Sequence, residues 1–237
     1  MAGTLHERLI RFTYPGIFPL GWLVNALATS DNNPATNETL SKVREVSNET
    51  SLTLLDAHTH KLPFDMMCAA MLLLRNSDIN QVAIPVAAYL YYQNKLHKNF
   101  FKPLSEVEGM QVYPVFRVEE LGRTSRIVQD NSGLSESEKK DRNSEYMTAI
   151  NEMQGQPHTL GVIAPYGSRR TFGDSSKIRN GVIEVVQNDQ PVIQSKAKWQ
   201  RFPRPAVKVS LSEIKTYSNN SPPDTIKHDI TDSFKKL

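Results

Sequence analysis

Apolar positions come in short blocks along this chain, and their texture differs from block to block. SLTLLDA (51–57) is a short apolar run, the pattern of a buried strand. QVAIPVAA (81–88) and MQVYPVFRV (110–118) are β-branched and aromatic, which also predicts strands. HTLGVIAPYG (158–167) reads as a strand running into a turn, and QPVIQSKA (190–197) as another strand. PAVKVSLSEI (205–214) alternates like a strand with one face half exposed. Helical patterns fall between them. PFDMMCAAMLLLRN (63–76) consists of good helix formers, with Pro63 and Asp65 where a first turn favours them. SESEKKDRNSEYMTAINEM (135–153) opens on a Ser-x-x-Glu capping box, Ser135 and Glu138. SSKIRNGVIEVVQND (175–189) predicts a helix with Gly181 inside it. SDNNPATNETLS (30–41) lacks apolar periodicity and reads as a linker, and an Asn/Ser/Pro-rich tail with a short helical end follows Tyr217. Strands interleaved with helices imply an α/β sheet. The expected organisation is an N-terminal helical segment and linker (1–49), an α/β domain (50–215) and a polar C-terminal tail (216–237).

Bulk composition narrows this little. The 237 residues suit one large α/β domain or two small ones, and a net charge of +3 gives no global argument for nucleic acid. The charge is uneven, however: from Lys196 onward nine Lys/Arg stand against four Asp/Glu. A basic end of this kind suits an anionic partner such as a membrane surface, a phosphate ester or an acidic carrier protein, or else a solvated face. The single cysteine, Cys68, excludes an intramolecular disulfide and fits a reducing compartment. GIFPLGWLVNALA (16–28) is too short to span a bilayer, which takes roughly 20 residues. Pro15, Pro19, Asn25 and Glu7 weigh against a cleaved signal, and a membrane-surface or packing helix is expected there.

Candidate chemistry concentrates in DAHTHKLPFDMM (56–67), which reads in two ways. His58-x-His60 is how a metal-dependent amidohydrolase begins its metal site. His60-x-x-x-x-Asp65 is instead a general base with a carboxylate to orient it. The metal reading needs further ligands at the C-terminal ends of later strands. The other histidines, His6, His97, His158 and His228, do not supply them: only His158 lies at a strand edge, and at the strand's beginning. The dyad reading needs one histidine, a nearby carboxylate and a cationic pocket. An alcohol attacking a thioester must lose its proton, and imidazole has a suitable pKa. A carboxylate on the other ring nitrogen holds the tautomer. The expectation is therefore no bound metal.

Beyond His60 and Asp65, three further blocks occur in order: GMQVYPVFR (109–117), LGVIAPYGSRR (160–170) and KIRNGVIEVVQNDQPVIQ (177–194). Together the four blocks resemble the glycerolipid acyltransferase family, the glycerol-3-phosphate and lysophosphatidate acyltransferases and their relatives, over roughly residues 50 to 200. The resemblance implies a mixed sheet flanked by helices, with His60 as base and Asp65 as its partner. It implies substrate contacts from Arg117, Tyr166, Gly167, Ser168 and Arg169. It also implies acyl-CoA or acyl carrier protein as donor, a phosphate-bearing lipid precursor as acceptor and no cofactor; the lone Cys68, the apolar run at 16–28 and the basic C-terminal third lead separately to the expectation of a cytoplasmic protein with peripheral membrane contact. Three positions depart from the family pattern: Tyr166 stands for a glutamate of the acceptor pocket, Thr59 for an asparagine, and Gln194 near an absent proline. These departures point to a different acceptor, or to a catalytically silent relative that binds lipid or an acidic partner.

Overall fold

The structure is a computed structural model, described here for residues 4–11, 26–57, 65–92, 101–116, 132–166, 173–200 and 205–237. Seven strands form one open sheet: β1 (Ala28–Ser30), β2 (Leu52–Asp56), β3 (Gln81–Ala87), β4 (Met110–Val115), β5 (Thr159–Ile163), β6 (Val192–Gln200) and β7 (Ala206–Leu211). Their order is β1-β7-β6-β2-β5-β3-β4. From β6 to β4 all neighbours are parallel. At the other edge β7 returns antiparallel to β6 and carries β1 parallel to itself. The sheet is mixed, as expected. β2 and β5 are buried at every position, which is why their sequences are continuous apolar runs rather than alternating ones.

Helices cover both faces. On the first face, α1 (Leu5–Arg11), α2 (Pro34–Glu49) and α3 (Asp65–Arg75) share a core with Leu54, Ile84, Val162, Ile193 and Val209. The short α4 (Ala88–Tyr91) follows β3, and α5 (Lys102–Ser105) adds Leu104 to this layer. On the second face, α6 (Glu136–Met153), α7 (Asn180–Val186) and α8 (Pro223–Lys236) pack against Leu55, Ala83, Ile163 and Val192. The capping box of α6 is formed in both directions, Ser135 and Glu138 each bonding the other's backbone.

Three elements differ from the sequence reading. Residues 30–41 are not a linker: Ala28–Ser30 is a strand, and α2 begins at Pro34 behind an Asn33 cap whose Oδ1 accepts from Ala35 N at 3.0 Å. Its inward face is Thr36, Thr39, Val43 and Ser47, so mostly hydroxyls are buried where apolar residues were sought. The helix expected over 175–189 is a 3-10 turn (Ser175–Lys177) and then α7, because Ile178 and Arg179 are extended between them. The C-terminal stretch is helical over fourteen residues and seats Ile226, Ile230 and Phe234 in the core at 0–1% exposure. Among the described residues no helix is long and apolar enough to cross a membrane. Of 16–28, only 26–28 are described.

Candidate active site at the strand switch point

The chain leaves β2 through α3 on the first face and passes over β5 to reach β3. It leaves β5 through α7 on the second face and passes over β2 to reach β6. β2 and β5 are neighbours, with Leu55 opposite Ile163, and their outgoing connections diverge in opposite directions. Such a divergence opens a crevice beyond the carboxyl ends of the two strands, where open α/β sheets hold ligands. The two stretches that carry the candidate chemistry begin at this crevice: Asp56 and Ala57 lead into 58–64, and Ala164, Pro165 and Tyr166 lead into 167–172. β4, on the same edge, ends at Val115 and leads through Phe116 to Arg117.

His58, His60, Arg117, Gly167, Ser168 and Arg169 lie outside the described residues, and Asp65 is placed only as the first residue of α3. Tyr166 is described. It is 4% exposed, its ring lies 5.9 Å from that of Phe234, and its hydroxyl is 3.0 Å from Thr231 Oγ1. Burial raises its pKa, partly offset by the bonds from Thr231 and the Gly173 backbone. The side chain thus ties the end of β5 to α8.

Two residues that sequence reasoning passed over stand at the same edge. Asp56 ends β2 at 1% exposure and accepts a bond from Ser195 Oγ at 2.8 Å on β6. The following residue continues the ladder, Ala57 N donating to Ser195 O at 2.9 Å. A carboxylate this deep requires donors, because an uncompensated charge there is costly. The visible signal was an acid at the end of an apolar run. Asn143 of α6 clamps the backbone just ahead of Arg117, accepting from Phe116 N and donating to Phe116 O, both at 2.8 Å. No sequence pattern marks it, since Asn143 is one polar residue among many on α6.

His158 stands at the opposite edge of the sheet, before β5, with φ +62° and its N–H bonded to Ser47 O at 2.7 Å. It is not near the crevice. His228 lies on α8 with Nδ1 2.6 Å from Asp224 O. Among the described residues no three His, Cys, Asp or Glu side chains gather as metal ligands would. A shallow open groove runs along α6 and the edge strand β4, lined by Tyr113, Asp141, Glu145 and Glu152. Its carboxylates have the wrong sign for a phosphate, and it lies three strands from β2. A scan against protein-family models and a search of curated proteins give no match to this chain.

Proposed function

We propose that the chain is an O-acyltransferase that moves a fatty acyl group from acyl-CoA or acyl carrier protein to a hydroxyl of a phosphate-bearing glycerolipid precursor. The observation that carries this reading is the switch point. The His60–Asp65 stretch and the Pro165–Arg170 stretch follow the two strands whose connections diverge. A base and a phosphate-binding turn would then meet over one crevice.

In this mechanism His60 takes the proton of the acceptor hydroxyl as its oxygen attacks the thioester carbonyl. Asp65 holds the imidazole tautomer and stabilises the imidazolium. When the tetrahedral intermediate collapses, the C–S bond breaks and the thiolate leaves with the proton from His60. Arg169 and Arg117 grip the acceptor phosphate bidentately, with Ser168 and the Gly167 backbone beside them. The thioester supplies its own activation, so the reaction needs no cofactor and no metal. The acceptors and products make a cytoplasmic protein in peripheral contact with a membrane the natural setting. One observation favours the silent relative instead: at the family's glutamate position, the Tyr166 hydroxyl is engaged by Thr231.

Thiol release from acyl-CoA or acyl carrier protein, measured against a panel of acceptor alcohols, decides between the two. We expect His60→Ala to abolish release while the fold is retained, and Asp65→Asn to cost roughly 10⁴-fold. Undiminished turnover in pure His60→Ala protein would sink the mechanism. No release with any acceptor, together with tight lipid binding, would favour the silent relative. His58→Asn is expected to stay within about tenfold of the wild type, because lost positioning costs less than a lost base. One equivalent of zinc, lost together with activity in either histidine variant, would restore the metal reading.

A further inference from the structure

β6 does not stop where its parallel neighbour does. Asp56, the last residue of β2, pairs with Ser195, and β6 continues for five more residues to Gln200, where among the described residues only β7 pairs with it. At about 3.3 Å per residue β6 and β7, with β1 outside β7 at Val207–Val209, run some 17 Å past the end of β2. The two faces of this ribbon differ in character. Ala197, Trp199, Val207 and Val209 turn inward to the first-face core. Lys196, Lys198 and Lys208 occupy the other face, and Lys198 stands directly opposite Lys208 in the register. Neither strand contains an acidic residue. Lys196 reaches the end of α8, its Nζ 3.4 Å from Phe234 O, and Lys208 Nζ lies 3.4 Å from Ser30 O. The Lys208 contact is to a carbonyl, which does not neutralise its charge.

Like charges directly opposite on a ribbon destabilise it. Packing does not require them, because Lys198 is exposed. We infer that the Lys198–Lys208 pair of the β6–β7 ribbon docks on an anionic bilayer surface. The array is built from lysines, which act as point charges rather than bidentate forks. That suits a sheet of lipid phosphates better than one phosphate in a pocket. The inference deepens the membrane contact proposed above, and its test does not depend on acyl transfer.

The test is cosedimentation of the full chain with phosphatidylcholine vesicles, with and without phosphatidylglycerol. Each lysine near such a surface contributes about fivefold, so Lys198→Gln/Lys208→Gln should weaken binding to the anionic vesicles about thirtyfold. Lys42→Gln/Arg44→Gln removes the same charge from exposed positions on α2, on the opposite face, and should change binding no more than about twofold. Lys198→Glu should bind least of the single variants yet melt higher than wild type, because it turns a repulsive cross-strand pair into an attractive one. Equal loss in the two double variants would reduce the effect to net charge and overturn the docking face. So would equal binding to neutral vesicles, or a lower melting temperature for Lys198→Glu. Elution by millimolar glycerol phosphate at constant ionic strength would show a soluble phosphate site instead of a surface.

Discussion

At Gly109 the backbone takes φ +90°, and a side chain there would begin 2.0 Å from the Asn80 carbonyl oxygen. The same residue accepts from Val82 N at 2.8 Å as β3 begins, so the turn cannot move away without disturbing the ladder. Gly109→Ala should therefore cost about 1–3 kcal/mol in urea denaturation, from the left-handed φ and the clash together. Asp229 offers a test by pH. Burial pushes its carboxyl upward, but bonds from Lys215 Nζ (2.8 Å) and the Tyr217 hydroxyl (2.6 Å) prevail and hold it below the usual carboxylate value. A folded-state value below the unfolded one stabilises fully above the ordinary aspartate pKa, about 3.9, and the gain disappears as pH falls through the depressed value. Asp229→Asn should flatten the decline of melting temperature in that acid window and lower stability at neutral pH. An unchanged acid limb would show that the network does not hold the carboxylate as described.

Among the elements, β2, β3, β5 and α3 were legible in the sequence because burial there is achieved with apolar residues of one period. The same holds for α6, whose cap is written into Ser135 and Glu138. α2 was not legible, for a physical reason: Thr36 Oγ1 and Thr39 Oγ1 bond the carbonyls of Leu211 and Ser212, at 3.4 and 2.6 Å. A face that buries hydroxyls onto strand-end carbonyls looks, in sequence, like a solvated turn. Thr39→Val keeps the shape and should cost about 1–3 kcal/mol, the price of a stranded carbonyl. Thr39→Ser should restore most of it. α8 was legible only as a short helical end, its length and packing hidden by the polar lead-in, yet Phe234 within it is 0% exposed, and Phe234→Ala should cost about 3–5 kcal/mol in chemical denaturation. For the site, the sequence marked the stretches that follow β2 and β5, of which 58–64 and 167–172 lie outside the described residues. Asp56 showed in the sequence only as an acid ending an apolar run, and nothing marked Asn143, whose part depends on which loop it meets.

On the scale of the whole molecule, the first strand and the last strand share one edge. Among the described residues β1 pairs in the sheet only with β7, and the Thr36 bond joins positions 175 residues apart. During synthesis, residues 28–49 would therefore emerge long before the surface that receives them. At roughly 5–20 residues per second, that interval is on the order of ten to thirty-five seconds. Throughout it, Thr36 and Thr39 would lack the carbonyls of Leu211 and Ser212, and an isolated helix of this length is marginal in water. Arrested nascent chains ending before residue 205 should thus be cut by protease within 28–49, while chains carrying β7 should be protected there. Residues 28–49 are completed by residues 206–212, so a strand and helix made early wait on a strand made late.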